Sequence, residues 1–325
     1  LHTAYRRQRQ MCIRDSNLVR ALLSKDYDIT CLIRKTSNLE SIKNLPVRFA
    51  YGDCNDIESL RKACEGKDYV FHLAAKVKEK TKKKYFEVNL DGTKNLLTAI
   101  NNLNIKKFIF FSSQAAAGPS TNKIPKTEEG PENPVSYYGK SKLAAEEYVR
   151  KYAKIPWTII RPSSVFGPYD RDFYIYFKLV KKGFAPVAGF GEKFISLIYI
   201  EDLTSLIIKA AENPKANSQI FFACDGNIYS WEDFIEGLKK IMHKKAITAK
   251  IPLPFAYMLA FFNESTKYFR KQQATINFQK VKEMRIRYWL CSSEKARKLL
   301  NFSPKFSLDK ALQKTYNWYK ENKWL

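Results

Sequence analysis

Apolar and polar residues alternate along the first half of the chain in two distinct patterns. Short apolar runs bounded by polar or turn residues predict strands at 29–33, 47–51, 69–75, 107–111 and 157–160. Between them, apolar residues spaced three and four apart predict helices at 16–23, 57–64 and 138–149. This alternation is typical of an α/β fold. We predict a Rossmann-type, doubly wound parallel sheet up to about residue 165, with a ligand at the carboxyl ends of its strands.

The pattern changes in the second half. A helix is predicted at 173–182, and 198–203 is predicted to be a strand that leads into a helix ending near residue 211. Residues 220–325 combine short strands with aromatic-rich helices. At 325 residues the chain is long enough for two domains.

The amino-terminal segment does not fit a Rossmann unit. Such a unit begins with an apolar strand and a glycine-rich turn, because the backbone must approach a pyrophosphate closely at a helix N-terminus. Residues 1–16 are instead rich in arginine, and no glycine precedes Gly52. We interpret residues 1–15 as a foreign stretch, a sequencing artefact that replaces the strand and turn. The alternative is that the arginines of this segment form a new binding site for the phosphates.

The net charge of +25 raises the question of a polyanionic partner. A basic protein of this kind could bind nucleic acid or an anionic membrane surface. The excess is mostly lysine spread along the whole chain, without a nucleic-acid motif, so a solvated surface is the favoured interpretation. The run from Lys76 to Lys84 is the best candidate for a local basic patch.

Other classes of protein are disfavoured by composition. The six cysteines are scattered without a C-x-x-C pair, and the three histidines are isolated, which argues against a metal site or a disulfide framework. The longest apolar candidate for a membrane span, 255–262, is too short to cross a bilayer. Residues 1–16 have no apolar core of a secretory signal. We therefore expect a cytoplasmic location.

A tyrosine and a lysine suggest proton-transfer chemistry. Tyr138 and Lys142 are four residues apart in a predicted helix, so their side chains share one face. An ammonium one turn away favours the phenolate, which would let a phenol act as acid and base near neutral pH. Ser113, at the end of the strand at 107–111, could hold a substrate oxygen beside the phenol. A lysine-rich helix can also show this spacing by chance, as a solvated face.

Five further motifs carry a resemblance to a known family. They are G-D-x-x-D at 52–56, H-L-A-A at 72–75, N-x-x-G-T-x-N-L-L at 89–97, Ser112-Ser113 after a strand, and R-P-x-x-V-F-G-P at 161–168. With Tyr138 and Lys142, they make the chain similar, from about residue 16 to its end, to the extended short-chain dehydrogenase/reductase family. This family includes the NAD-dependent epimerases and dehydratases. In pattern the chain is closest to the branch of dihydroflavonol reductases and 3β-hydroxysteroid dehydrogenases.

The resemblance implies a domain division and a set of site residues. Residues 1–165 would form the NAD(P)-binding Rossmann domain, which residues of about 195–222 rejoin, and 166–325 would be mainly a smaller substrate-binding domain. Ser113, Tyr138 and Lys142 would be catalytic. The implied cofactor-binding residues are Arg34, Asp53, Cys54, Leu73, Ala74, Ala75, Asn89, Tyr138, Lys142, Pro162, Ser163 and Val165. No metal is implied.

The cofactor preference follows from one position. NAD enzymes typically place an acidic residue after the second strand for the ribose 2′-hydroxyl, whereas an arginine accepts the 2′-phosphate of NADP. Arg34 stands at that position and the acid is absent. We therefore expect NADP to be preferred, with NAD as the alternative.

The expected function is an NAD(P)-dependent oxidoreductase that acts on a hydroxyl or carbonyl carbon of a small apolar or hydroxylated molecule. Nucleotide-sugar enzymes of the family usually carry Arg-Asp after a G-x-G turn, and here Ile195 and Ser196 stand there. Aromatic residues of the second half would suit an apolar substrate, or else be core: Phe173, Tyr174, Phe184, Phe190, Phe255, Tyr257 and Phe261. A nucleotide-sugar epimerase or dehydratase, and a non-catalytic NAD(P) sensor or scaffold, stay open, as does a homodimer.

Overall fold

The computed structural model describes residues 12–37, 39–79, 81–265 and 277–325. Its strands are β1 (Thr30–Ile33), β2 (Arg48–Tyr51), β3 (Tyr69–His72), β4 (Lys107–Phe111), β5 (Trp157–Pro162), β6 (Ser164–Phe166), β7 (Phe184–Ala188), β8 (Phe194–Ile195), β9 (Leu197–Tyr199), β10 (Gln219–Ala223), β11 (Tyr229–Ser230), β12 (Ile247–Ile251) and β13 (Tyr288–Trp289). Its helices are α1 (Cys12–Leu23), α2 (Ile57–Cys64), α3 (Lys82–Phe86), α4 (Gly92–Ile100), α5 (Gln114–Ala117), α6 (Tyr137–Tyr152), α7 (Tyr174–Lys181), α8 (Ile200–Glu212), α9 (Trp231–Met242), α10 (Leu253–Ser265), α11 (Phe278–Met284), α12 (Glu294–Leu300) and α13 (Leu308–Glu321). A π-helical turn at Glu87–Asp91 joins α3 to α4, and a 3-10 turn at Pro214–Ala216 follows α8.

The strands of the parallel sheet predicted for the first half form two separate groups, one of which also contains β10 from the second half. Strands β10, β5, β4 and β3 make a four-stranded sheet in that order, and β1 pairs with β2 alone. In a doubly wound sheet the first strand lies between such groups, so the break falls where that strand belongs. The segment that would have to supply this strand, 1–11, lies outside the described residues.

The burial of β4 shows that helices cover both faces of the main sheet. All five residues of this strand are buried, as expected for a parallel strand covered on both sides. Phe108 and Phe110 pack with residues of α2, α4 and α6, whereas Ile109 and Phe111 pack with α1 and α8. Alternate side chains of a strand point to opposite faces, so the two helical layers lie on opposite sides. The predicted α/β class and doubly wound fold are confirmed.

A lysine in β4 is tolerated because it caps a helix. The Lys107 ammonium donates to the carbonyl oxygens of Asn213, at 2.8 Å, and Ala210, at 3.3 Å. These carbonyls belong to the end of α8, where the last carbonyls lack helical partners and the dipole favours a cation. Burial lowers the pKa of Lys107.

The second half adds smaller sheets to this core. Strand β6 pairs with β9, β7 with β12, and β8 lies between β11 and β13. The segment 198–203 is a strand only as far as Tyr199, four residues before the predicted end, and α8 begins at Ile200. Glu201 and Asp202 in its first turn favour a helix start there. The division into domains at residue 165 stays a prediction.

Within the described ranges, no helix is both long and apolar enough to cross a membrane.

Candidate active site

The start of α6 places Tyr138 and Lys142 near the carboxyl ends of the strands of the main sheet. The Ser136 hydroxyl accepts a hydrogen bond from the Gly139 amide at 3.1 Å and caps the helix. Tyr138 and Lys142, four residues apart, are both buried. The Lys142 ammonium donates to the Phe111 carbonyl oxygen and lies 4.0 Å from the centre of the Phe110 ring. Its charge is therefore held at the carboxyl end of β4.

Ser113 lies in the turn that packs against the first turn of α6. Its hydroxyl accepts from the Ala115 amide at 3.2 Å and caps the short helix α5. A Cβ atom at Gly139 would lie 2.2 Å from the Ala115 carbonyl oxygen, so only glycine permits this approach of α6 to α5. The neighbouring Ser112 is fully buried and donates to Glu146. The two serines therefore have different surroundings.

Asn89 connects α6 to the loop after β3. Its side-chain oxygen accepts from the Lys76 amide at 2.7 Å, and its side-chain nitrogen donates to Ser141 Oγ at 2.8 Å and to the Lys76 carbonyl at 3.1 Å. It lies in the π-helical turn, a type of distortion that is frequent at functional sites. Ser141 precedes Lys142, so this contact ties the loop to the segment that carries the lysine.

His72, at the end of β3, is a neutral imidazole. Burial, together with the nearby Lys142 ammonium, lowers the pKa of His72 to about 3. Its Nε2 lies 3.0 Å from Thr93 Oγ1. A histidine that stays neutral at physiological pH is not a general acid here, and its contact instead joins β3 to α4.

The other predicted cofactor residues lie at the carboxyl ends of the parallel strands. Leu73, Ala74 and Ala75 follow β3, Pro162 ends β5, Ser163 follows it, and Val165 lies in β6. After β1 and β2, Arg34 and Asp53 form an exposed ion pair with a nitrogen to oxygen distance of 3.5 Å. The Cys54 carbonyl accepts from the Asn95 side chain at 2.9 Å.

Two polar atoms at this edge fit a bound dinucleotide. Ser163 Oγ and Gln114 Nε2 are two of the seven buried side-chain nitrogen and oxygen atoms of the described residues that have no hydrogen-bond partner. Buried polar groups are rarely left unpaired in proteins, so such a pair is expected where a ligand supplies the missing partners. Ser163 is one of the predicted cofactor residues, and Gln114 is the residue after Ser113. These residues therefore fit the part of a dinucleotide that would lie at the ends of β4 and β5, whereas the sequence has no glycine before Gly52 for its pyrophosphate.

Two residues near Tyr138 were not predicted as site residues from the sequence. Tyr85 is buried in α3. Burial raises the pKa of its phenol, and electrostatic interactions with the nearby Glu283, Glu79 and Tyr138 raise it further. Gln279 of α11 accepts a hydrogen bond from the Tyr137 amide at 3.0 Å. The helical spacing of Tyr85 from Asn89 could have indicated the first, but no local signal joins residues 137 and 279.

An ionic cluster of Arg161, Glu146 and Glu132 joins α6 to the end of β5. Arg161, at the end of β5, donates through Nε to both carboxylate oxygens of Glu146 at 3.1 Å, and through Nη2 to Glu146 and Glu132. Arg161 and Glu146 are both fully buried. The cluster holds α6 on the main sheet. Such a pair is weak evidence for stability, but loss of one partner leaves an uncompensated buried charge.

Glu146→Gln is expected to destabilise the protein by about 3 to 5 kcal/mol, because it leaves the buried Arg161 without its main counter-charge. Denaturant unfolding would measure the loss, with the exposed neighbour Glu147→Gln as the matched control. Replacing both charges, with Arg161→Met and Glu146→Leu together, should cost less than Glu146→Gln alone. A loss below about 1 kcal/mol for Glu146→Gln would show that the cluster does not hold α6.

The lysine run after β3 is partly neutralised by carboxylates. Lys78 pairs with Asp172 at 2.9 Å, and Lys76 and Lys83 lie 3.8 Å from carboxylates three and four residues ahead of them. This pairing weakens the interpretation of the run as a patch for a polyanion.

No cluster of three or more His, Cys, Asp or Glu side chains that could hold a metal ion occurs in the ranges that the structure covers.

Comparison with known proteins identifies the relatives of this chain. The model of the NAD dependent epimerase/dehydratase family matches residues 16–224. The UDP-glucose 4-epimerase of Vibrio cholerae is 31% identical over 252 residues, which cover 74% of this chain and 75% of that protein. A sterol-4-alpha-carboxylate 3-dehydrogenase of Schizosaccharomyces pombe is 26% identical over 262 residues, 77% and 76% of the two chains. A crystal structure of UDP-glucuronic acid 4-epimerase from Bacillus cereus, with UDP-glucuronic acid and NAD, superposes with a TM-score of 0.75 at 24% identity over 95% of this chain and 96% of that one.

Proposed function

This chain belongs to the NAD dependent epimerase/dehydratase family, and on that premise we propose that it is an NAD(P)-dependent oxidoreductase. Its substrate would carry the reacting hydroxyl or carbonyl on a small apolar or hydroxylated molecule. Ser113, Tyr138 and Lys142 would be the catalytic residues, and the substrate would bind mainly to residues of 166–325.

One observation carries the proposal. The Lys142 ammonium lies buried at the carboxyl end of β4, on the helix face that also bears Tyr138, and the turn of Ser113 packs against the same helix. Ligands of doubly wound sheets bind outside these strand ends. A solvated lysine helix would place both side chains in water, so the chance explanation of the spacing does not account for their burial.

Each side chain then has a chemical role. The nicotinamide cofactor, when bound, supplies the hydride chemistry. The Tyr138 phenol would give a proton to the substrate oxygen during reduction and take it back during oxidation. The Lys142 ammonium would offer its N–H groups to the cofactor's ribose. The Ser113 hydroxyl would hold the substrate oxygen, and Asn89 would fix the loop after β3 beside them.

The proposed substrate class is supported by Ile195 and Ser196, which stand where nucleotide-sugar enzymes of the family carry Arg-Asp. Ile195 and Ser196 are both buried. Ser196 Oγ accepts from the Cys291 amide at 3.1 Å and donates to the Cys291 carbonyl at 3.3 Å, so its polar atom is used inside the protein. Neither side chain can pair with a diphosphate as an arginine does. This supports an apolar or hydroxylated substrate, as does the similarity to a sterol dehydrogenase.

A nucleotide-sugar epimerase is the second candidate, because the relative at 31% identity is named a UDP-glucose 4-epimerase. A turnover screen separates the two when it is run on a chain whose residues 1–15 are replaced by a short apolar strand and a glycine-rich turn. The screen contains hydroxysteroids, other secondary alcohols, their ketones and nucleotide sugars, with NADH and NADPH. Turnover of alcohols or ketones alone supports the proposal. Epimerisation of a nucleotide sugar without net change in cofactor would overturn it, and cofactor binding without any turnover would support a sensor.

Arg34→Ala is expected to lower the affinity for NADPH by about tenfold or more and leave that for NADH nearly unchanged. A guanidinium contact to the 2′-phosphate is charge-assisted and contributes roughly 1.5 to 3 kcal/mol. The ion pair of Arg34 with Asp53 is half-exposed and weak, so a phosphate can displace it. Calorimetric titration of both cofactors, in the chain with residues 1–15 replaced in the same way, measures the preference, with the exposed neighbour Lys35→Ala as control. Equal loss of both affinities would contradict the assignment.

A further inference from the structure

Helix α10 presents large apolar side chains to solvent. Five of its residues are substantially exposed: Phe255 at 46%, Met258 at 56%, Leu259 at 36%, Phe261 at 63% and Phe262 at 67%. Their spacing of three and four residues places them on one face of the helix. At about 200 Å² for each large side chain, the exposed face amounts to something on the order of 500 Å². A patch of this size on a protein surface usually marks an interaction site.

The opposite face of α10 is the one that packs on the protein. Ala256 and Ala260, four residues apart, are buried against Val281, with Tyr257 and Phe278 beside them. The helix therefore buries its small residues and exposes its large ones, the reverse of an ordinary core-facing helix. Phe255 and Phe261 are therefore exposed and are not part of this cluster.

The segment on which α10 packs is basic. In residues 277–287, which contain α11, there are four basic residues, Lys280, Lys282, Arg285 and Arg287, against one acid, Glu283. All four basic side chains are exposed. The Arg285 guanidinium donates to the Tyr257 hydroxyl at 3.4 Å, so this rim is joined directly to α10. An apolar helix beside clustered basic residues fits the interface of an anionic bilayer, which attracts lysine and arginine next to a buried apolar face.

We propose that α10 docks this protein on an anionic lipid surface, lying in the interface with its exposed face in the headgroup and acyl boundary. The helix has 13 residues, or about 20 Å at the usual rise, so it is too short to cross a hydrocarbon core of about 30 Å. A second copy of the chain fits less well. A stable protein interface buries roughly 800 Å² on each partner, which this helix face does not supply, and two basic rims would face each other.

The docked helix lies one element away from the candidate site. Helix α10 packs on α11, and Gln279 of α11 accepts from the Tyr137 amide, next to Tyr138. An apolar molecule dissolved in the bilayer would thus approach the site from the docked side. The docking itself goes beyond the proposed function and does not depend on it, since it is measured without cofactor or substrate.

The test is flotation of the full chain with vesicles. Vesicles of phosphatidylcholine with about one third phosphatidylglycerol should carry the protein upward at low salt, and vesicles of phosphatidylcholine alone should carry much less. Met258→Gln with Phe261→Gln, which keeps good helix formers, should lower the bound fraction at least about tenfold. Lys282→Gln with Arg285→Gln should lower it severalfold and reduce its salt dependence.

Matched controls change equally exposed residues elsewhere. Ile124→Gln with Tyr51→Gln removes side chains that are 71% and 62% exposed, and Lys298→Gln with Lys62→Gln removes two exposed charges. Neither control should change flotation. If the apolar variant does not fold, Met258→Trp keeps a large apolar side chain, and brominated lipid should quench its fluorescence beyond that of wild type.

Three results would overturn the proposal. The wild type could fail to float with anionic vesicles, or the Met258 and Phe261 variant could float as the wild type does. The third is light scattering that shows a dimer which becomes a monomer in that variant, with no vesicle binding, because the face would then join two copies. Absence of any quenching in Met258→Trp also counts against docking.

Discussion

Tyr138→Phe is expected to lower turnover at least about a hundredfold, although the change removes a single oxygen atom. A general acid and base that moves a proton in the transition state typically contributes a factor of this size or more. The phenylalanine keeps the ring, so the packing of α6 should be preserved. Turnover would be measured with a substrate from the screen of alcohols, ketones and nucleotide sugars, and cofactor affinity by titration should barely change.

The neighbouring residue supplies the control for this variant. Tyr137 precedes Tyr138 in the first turn of α6 and is half-buried, so Tyr137→Phe removes the same atom beside the proposed site. It should retain nearly full turnover. Near-normal turnover in Tyr138→Phe would show that another group moves the proton, and an equal loss in both variants would indicate a structural effect on the helix.

Replacing residues 1–15 with a short apolar strand followed by G-x-x-G-x-x-G is expected to restore tight cofactor binding and raise the melting temperature. A non-glycine residue in that turn puts a Cβ atom where the pyrophosphate must approach. In the present chain Asp15 lies in the first turn of α1, where its carboxylate opposes a phosphate. An apolar strand would also join the β1 and β2 pair to the four-stranded sheet across the break. Calorimetry and thermal unfolding measure the two effects.

A second replacement separates the two effects. The same apolar strand followed by alanines in place of the three glycines should raise the melting temperature without restoring cofactor binding. The unmodified chain should be poorly stable and nearly inactive, because an arginine-rich segment cannot be buried on both faces as a central parallel strand. Micromolar binding of NADPH to the unmodified chain would show that the arginines of this segment form the phosphate grip.

Local patterns in the sequence determined the fold class and the core of the candidate site. Short continuous apolar runs and apolar spacings of three and four predict strands and helices, because backbone geometry sets which side chains of each element can be buried. The same geometry places Tyr138 and Lys142 on one helix face. The family was identified from short motifs such as that at 161–168, whose residue types and spacing are preserved within a continuous stretch of chain. These predictions needed no knowledge of which segments meet.

The tertiary structure decided what depends on contacts between distant segments. The apolar run at 198–203 could be strand or helix by its composition, and the pairing of β9 with β6 ends the strand at Tyr199. The sequence does not show that Gln279 meets the Tyr137 amide, since 142 positions separate them. Phe255, Tyr257 and Phe261 of α10 were predicted as substrate contacts or core. The structure exposes Phe255 and Phe261, because the helix packs on Val281 through Ala256 and Ala260, with Tyr257 beside them. Burial is a property of the packed chain, and a helix with apolar residues on all sides does not by itself specify which face turns inward.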